Sequence, residues 1–526
     1  MKSSLSRNER SVRGGPFHTG TSAGGNGSRR GPCRVRASLA TGLSLGFLLG
    51  ASFIEPLRAE DRPEYVIVAS SATLADPGWR RVVGTLQEKH AGGLVTCEGG
   101  LEASSVLPAL RSAFPRYVCF VARPEEVSRE YVARVHRLTR QLDDDPYADC
   151  FWGILTGYNA ANALAIAQES APLTVRKVAG GTEVALEMCE EGQWFCELKP
   201  HRWVKKEAGA PPKELAGPAD TTAALVGTLN DYRADLFVTS GHATERDWQI
   251  GFAYRNGRFR HQDGRLVGVA GNGERFPVDS PNPKVYLPIG NCLMGHIDRP
   301  DCMATSWMNS AGVRQMIGYT VPTWYGYPGW GMLDYYLEQP GQYTFAEAFL
   351  ATEHALLHRL GSFFPDLVDA EIAPGGRPPG RIAVGAAAQA AGLRAQDGFG
   401  LLHDRDVVAF YGDPAWVATM ADGPRAFDLE LRNSGGTYTF AIRPRRGERS
   451  FDTINVNGVQ RGGRPFIAFL PHRVRDVKIV LGADLQPVIT DDFILVPRPE
   501  ACDPNRDYRV VFTAVPTAGG EPAAAN

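Results

Sequence analysis

Short apolar runs alternate with longer amphipathic stretches from Tyr65 onward. Residues 66–69, 94–97 and 117–122 are rich in β-branched side chains and apolar on both alternating faces, the pattern of parallel strands covered on both sides. Between such runs the period lengthens. In residues 128–142, Val132, Val135, Leu138 and Leu142 recur at three- and four-residue spacing and Ser128 is placed to cap the first turn, which predicts a helix with one buried face. The alternation continues through 236–240, 285–290 and 313–320. It predicts an α/β fold, a mostly parallel sheet flanked by helices on both faces.

Residues 180–218 are more polar and contain Gly180-Gly181 and Pro211-Pro212, so hairpins and loop outside the core are expected there. Residues 371–400, rich in Gly, Pro and Ala, predict a surface excursion before the apolar run 407–411. After Pro424 the period changes to two. Segments 427–431, 437–442, 466–470, 477–481, 493–496 and 508–515 predict six strands of a small antiparallel β-sandwich. The expected organisation is an N-terminal α/β subdomain over 60–178, a second α/β subdomain over 179–420 carrying the chemistry, and the sandwich over 424–526.

The chain begins differently. Residues 1–38 hold eight basic residues and one acid, Glu9, and lead into a 16-residue apolar run, 39–54. That run is shorter than the ~20 residues needed to span a bilayer. With Arg58-Ala59-Glu60-Asp61 following, residues 1–59 read as a secretory signal peptide cut after Ala59. A secreted, periplasmic or cell-envelope protein with no membrane span after cleavage is expected. The full chain has a net charge of −2, and beyond residue 59 it has 47 basic residues against 56 acidic ones, a net of −9. Such a body lacks the cationic surface that binds polyanions, which argues against a nucleic-acid partner. Apolar residues at 43% and charged residues at 22% exclude wholesale disorder and a polytopic membrane protein. Cys33 precedes the apolar run, so it is no lipid-bearing mature terminus. The other eight cysteines are too few for a disulfide scaffold. Cys97 and Cys119 read as buried thiols, whereas Cys189 and Cys196 are spaced to bridge a hairpin.

The chemistry concentrates at two strand ends. Residues 235–240 lead into Gly241-His242-Ala243, and 285–289 into Gly290-Asn291-Cys292-Leu293-Met294-Gly295. In an open parallel sheet the ligand crevice lies just past the carboxyl ends of strands. If the two strands are neighbours, His242 and Cys292 meet there. A thiol of ordinary pKa is only a few per cent thiolate near neutrality, and an imidazole that takes or shares its proton makes it an effective nucleophile. Other readings are weaker. Zinc on His242, Glu245 and His261 or His296 lacks a His-Glu-x-x-His pair, so no metal is expected. Cys302, at the start of a helix, reads as a packed thiol. The aromatic run Tyr319, Trp324, Tyr325, Tyr327 and Trp330 fits a pocket lining or core equally well. The glycines of 20–31 lack the strand and the Gly-Lys-Ser/Thr of a phosphate loop.

These blocks resemble the gingipain-like cysteine peptidases, relatives of caspases and legumains. Residues 241–248, Gly-His-Ala-Thr-Glu-Arg-Asp-Trp, are similar to that family's Gly-His-Gly-Ser-Glu-x-x-Trp, and Cys292-Leu-Met-Gly295 with Cys302 to its Cys-x-x-Gly block and second cysteine. Residues 143–153, 313–320 with Trp324, and Tyr411-Gly-Asp-Pro414 echo it more weakly. The resemblance spans about residues 62–420. It implies a caspase-haemoglobinase-like sheet followed by an immunoglobulin-like sandwich, and an endopeptidase acting on protein or peptide substrates. Cys292 is then the nucleophile and His242 the general acid/base, with the Ala243 and Cys292 N–H groups as oxyanion hole. Trp324 and Thr320 fall in the substrate pocket, and Glu191 is the best local residue to orient the histidine. No cofactor is required, although a structural calcium is compatible. Ala243 replaces a glycine and Thr305 a glutamate, and no pocket acid can be placed, so no side-chain preference carries over. Ala243 also motivates an alternative, a catalytically degenerate caspase-like domain acting as a secreted binding or envelope module.

Overall fold

The computed structural model describes residues 63–98, 101–372, 377–458 and 460–517. The expected signal peptide, its cut and Cys33 lie outside them. Twelve strands share one sheet: β1 (Tyr65–Ser70), β2 (Gly93–Cys97), β3 (Tyr117–Val121), β4 (Phe151–Leu155), β5 (Lys177–Gly180), β6 (Glu191–Phe195), β7 (Arg202–Lys206), β8 (Lys213–Ala216), β9 (Leu236–Thr239), β10 (Lys284–Pro288), β11 (Val313–Tyr319) and β12 (Val408–Tyr411). Their order is β2-β1-β3-β4-β12-β11-β10-β9-β5-β6-β7-β8. Strands β4, β9, β10 and β12 are buried at every position, which requires cover on both faces and explains their largely apolar sequences; Lys284, at the start of β10, is a buried exception whose Nζ donates to Asn282 O at 2.8 Å. On one side, α2 (Arg129–Thr139) and α6 (Phe345–Phe363) meet β4, where Trp152 packs edge-on against His136 and Phe349. The Ser128 hydroxyl caps α2 as its sequence predicts. The α1 helix (Pro77–His90) packs against β1 and β3, and α3 (Thr222–Asn230) against β5.

The sheet is mostly parallel, as expected, with a reversal in its middle: β12 runs parallel to β4 but antiparallel to β11. The block β1–β4 and the block β5, β6, β9–β11 therefore point in opposite directions, and their carboxyl ends lie on opposite rims. Residues 180–218 differ from the expectation: they are not excluded from the core. They supply β6, parallel to β5, and the antiparallel β7 and β8, and they bury Trp194 and Phe195. Their polar character reflects a sheet edge, where outward positions meet water.

All six strands read after Pro424 occur. Phe427–Ser434, Thr437–Pro444, Tyr508–Pro516 and Val474–Leu481 form one antiparallel sheet, and Phe466–Phe469, Phe493–Val496 and the short Val488–Ile489 form another. Tyr438, Phe440, Phe512, Phe493 and Leu495 fill the core. Among the described residues no helix is long and apolar enough to cross a membrane.

Candidate active site

Strands β9 and β10 are parallel neighbours, with Thr239 opposite Pro288. The chain segments leaving them therefore emerge side by side on one rim. Gly241 adopts φ +95°, a conformation open to glycine, and this turns the chain so that His242 is exposed. Its ring rests on Phe252, with centroids 4.7 Å apart. Asn291, fully buried, ties the two ends together: its Oδ1 accepts from the Thr239 hydroxyl at 2.7 Å and its Nδ2 donates to the Gly241 carbonyl at 3.1 Å.

The cysteine loop is seated by backbone contact. Leu293 N–H donates to Val321 O at 3.2 Å and Gly295 N–H to Tyr319 O at 2.9 Å. A Cβ on Gly295 would lie 2.2 Å from the Gly318 carbonyl oxygen, so the glycine of Cys-x-x-Gly lets two backbones touch. Trp248 plays a similar supporting part: fully buried, its indole N–H donates to Ser240 O at 2.8 Å, just before Gly241-His242.

Cys292 and His242 line one cleft of about 390 Å³ together with Ser240, Phe252, Trp324, Tyr325, Trp330 and Glu197. Cys292 is the one half-buried thiol among the eight described cysteines; the other seven are buried, and none is paired. Burial pushes the thiols of Cys97, Cys119, Cys150, Cys189, Cys302 and Cys502 up, because a dry interior disfavours the thiolate. Thr323 N–H donates to Cys292 Sγ at 3.2 Å, and no hydrogen bond joins sulfur to the imidazole. Neither the Cys292 nor the Ala243 N–H donates to an acceptor among the described residues. Ala243 is not at positive φ; Gly241 and Leu293 are the positions nearby that are. Its methyl group therefore introduces no backbone strain.

Several expected residues lie elsewhere. Glu191 opens β6, level with Lys177, to which it pairs at 3.8 Å. Strand register puts it level with Asp235, at the far rim and roughly 20 Å from His242 by strand rise. It does not orient the histidine, and among the described residues no carboxylate pairs with that ring. Thr320 is buried and its hydroxyl donates to Val407 O at 2.9 Å; it closes the end of β11 and does not line the cleft. Trp324 does, as do Tyr325 and Trp330, whereas Tyr319 and Tyr327 are core. Cys189 and Cys196 flank β6 at opposite ends, about 20 Å apart by strand rise, far beyond the Cα separation a disulfide spans. Cys302 is buried at the start of α4 (Met303–Ser310), and Thr305 fills the N3 position of that cap, accepting from Cys302 N–H at 3.3 Å. Threonine thus does there what a glutamate does in a capping box.

The zinc set does not gather. His261 instead pairs with Asp301 at 3.0 Å. Among the described residues the only three metal-ligating groups brought together are Asp143, Asp145 and Asp491, with oxygens within 4.8 Å of one another. None of them lines the cleft. Each brings one oxygen to that point, fewer than the six to eight that calcium takes.

Sequence reasoning missed Glu197, buried at the end of β6. Its Oε1 accepts from Thr182 Oγ1 at 2.6 Å and lies 3.3 Å from Ser240 Oγ, while Oε2 has no partner. Burial raises its carboxyl. It lies six residues after Glu191, and only the direction of β6 reveals which of the two faces the cleft.

No protein-family model matches the sequence, and no curated protein matches it. Solved structures do. The Arg-specific cysteine proteinase gingipain R (RgpB) aligns over 88% of this chain and 97% of its own at 11% identity and a TM-score of 0.39. A complex of Porphyromonas gingivalis RgpB pro- and mature domains aligns over 87% and 97% at 11% identity and a TM-score of 0.38. A structure described as a protease aligns over 86% and 97% at 10% identity and a TM-score of 0.35. Likeness at this level carries no functional argument; the residues of the cleft must.

Proposed function

We propose that this chain is an exported cysteine peptidase that hydrolyses peptide bonds of protein or peptide substrates through a thioacyl-enzyme. The observation that carries this reading is that the one half-buried thiol among the described cysteines and an exposed strand-end imidazole line the same cleft. In the proposed reaction Cys292 Sγ attacks the scissile carbonyl carbon and its proton passes to the His242 ring. The negative charge on the carbonyl oxygen is met by the N–H groups of Cys292 and Ala243, the preorganised donors such an intermediate needs. Collapse breaks the C–N bond as His242 protonates the leaving amine. Water, deprotonated by His242, then releases the acid and regenerates the thiol. No cofactor enters. The absence of a resting Sγ–imidazole hydrogen bond fits a histidine that acts on the leaving group once substrate lies between the two.

The rival reading, a degenerate binding module, drew its support from Ala243, and negative φ there removes that support. Export rests on residues 1–59 alone. Casein hydrolysis by the purified protein, lost in both Cys292→Ala and His242→Ala, is the expected result. Hydrolysis that survives both substitutions refutes the assignment, and alkylation of Cys292 by a peptidyl electrophile without turnover favours the binding module.

A further inference from the structure

A second surface adjoins the cleft on the side of the histidine. Four short strands, Asp247–Gln249, Arg258–Gln262, Arg265–Val269 and Arg275–Pro277, form an antiparallel sheet of their own. The histidine segment extends its edge: Ala243 bridges to Trp248, and Gln249 N–H donates to His242 O at 2.9 Å. Register then runs in one row from His242 through Gln249, Arg258 and Val269 to Arg275. Side chains alternate between the two faces of a sheet, so the members of that row share a face. Exposure agrees: His242, Gln249, Arg258 and Arg275 are exposed, while Ala243, Trp248 and Phe259, one position along, are buried.

The buried face fixes this sheet in place. Phe259 stacks on Trp307 of α4 at 6.0 Å, and the loop 250–257 is bonded to the end of β6, with Ala253 N–H donating to Glu197 O at 3.0 Å and the Tyr254 hydroxyl to Cys196 O at 2.9 Å. That loop puts Phe252 in the cleft with Trp330 of α5 (Tyr327–Met332), and puts Arg255 on the wall of a separate hollow of about 570 Å³ lined also by Arg258, Arg260 and Gln249. The outward strand positions carry Arg258, Arg260, Arg265 and Arg275 against one acid, Asp247. Asp247 pairs with Arg258 at 3.3 Å, and Asp279, beyond the last strand, with Arg265 at 3.6 Å. Asp263 and Glu274 sit in the connecting turns, and among the described residues no carboxylate pairs with the exposed Arg255 or Arg260.

We propose that this arginine face is an exosite for acidic segments of the protein substrate, engaging Asp and Glu side chains on the leaving-amine side of the scissile bond. The inference rests on the cysteine-peptidase reading, in which the amine departs across His242. From His242 to Arg258 is two strand spacings, roughly 10 Å. An extended chain covers that in about three residues, so acids at about the third to fifth residues after the bond reach Arg258 and Arg260. A guanidinium meets a carboxylate through paired N–H donors, and arginine clusters are a recurring reader of acidic motifs. The chemistry favours an acidic peptide over nucleic acid. Beyond residue 59 the chain has 47 basic residues against 56 acidic ones, and a polyphosphate meets that negative field along its whole length. Carboxylates spaced along a peptide are met by the arginines alone, because charges farther off than a Debye length of about 8 Å are screened.

The test uses the full chain. Fluorescence anisotropy on the Cys292→Ala protein compares a fluorescein-labelled decapeptide of alternating glutamate and glycine with its glutamine and glycine twin. The acidic peptide should bind about tenfold more tightly at low salt. That preference should disappear in Arg258→Gln/Arg260→Gln and persist in Arg81→Gln/Arg129→Gln, which removes the same charge from exposed positions of α1 and α2. Equal affinity for the two peptides, a preference that survives Arg258→Gln/Arg260→Gln, or a labelled decathymidylate that binds more tightly than the acidic peptide overturns the inference. Cleavage sites of the active protein in a proteome-derived peptide library give the second readout. Asp and Glu should be enriched at about the third to fifth residues after the bond in wild type, and not in Arg258→Gln/Arg260→Gln. Cleavage without that enrichment overturns the exosite and leaves the peptidase standing. Acidic-peptide binding with no cleavage of any library member supports the arginine face as a docking surface and overturns the catalytic reading instead.

Discussion

Alkylation of the native protein should be confined to one of the eight described thiols. The Cys189 thiol is pushed up to about 12 by burial, so at pH 7.5 only about 3 × 10⁻⁵ of it is thiolate, whereas a thiol at the ordinary 8.5 is about one-tenth ionised. The thiolate population alone therefore slows Cys189 roughly 3,000-fold relative to such a thiol. Exclusion of reagent from the interior slows it further. Cys97, Cys119, Cys150, Cys302 and Cys502 are buried and shifted in the same direction. The assay is a brief exposure to iodoacetamide at pH 7.5, quenching, and peptide mapping by mass spectrometry, repeated in denaturant. Cys292 should be modified in the native protein and all eight in the unfolded one. Early modification at any buried position, or Cys292 reacting only after unfolding, would refute the assignment of Cys292 as the accessible thiol.

Gly295→Ala places a methyl group 2.2 Å from the Gly318 carbonyl oxygen, and overpacking against backbone should cost about 3 kcal/mol or more, read as a lowered urea midpoint. Asn291→Ala strips the Gly241 carbonyl of its partner and leaves the Thr239 hydroxyl with that of Tyr286 alone; it should cost about 2 kcal/mol, with activity falling further than stability because the histidine and cysteine loops are no longer tied. Arg464→Met leaves Asp334 with one of its two arginines, and a loss of about 3–5 kcal/mol is expected in chemical denaturation. Burial and the neighbouring Asp143 raise the Asp145 carboxyl to about 8. A folded-state value above the unfolded one stabilises fully below the unfolded pKa and loses that contribution as pH rises through the folded value. This group's contribution should thus decline between about pH 4 and pH 8, so the melting temperature of Asp145→Asn, which keeps an acceptor for Tyr147 N–H, should rise relative to that of the wild type across that interval. Parallel profiles for the two proteins would count against the raised carboxyl.

Much of the architecture was readable because burial is encoded locally. A strand covered on both faces is apolar along most of its length, so β1, β3, β9 and β10 announce themselves, as do the period-two strands of the sandwich. The glycines beside His242 and Cys292 mark strand ends for an equally local reason: the chain turns at Gly241, and two backbones touch at Gly295. What the sequence by itself determined was therefore which segments are strands and helices, and which two side chains stand where a strand gives way to a loop.

Tertiary structure decided everything that depends on which strand lies beside which. The pairing of β9 with β10 brings His242 and Cys292 to one cleft. The insertion of β12 between β4 and β11 reverses half the sheet. The direction of β6 sends Glu197 to the cleft and Glu191 to the far rim, although both sit in the same polar stretch. The bonds of Asn291 to Gly241, Arg464 to Asp334 and Asn457 to Glu197 reach across 50 to more than 250 residues of sequence. The hydrophobic pattern of a segment specifies the face it buries but carries no mark of its partner, which is chosen by packing of the whole chain.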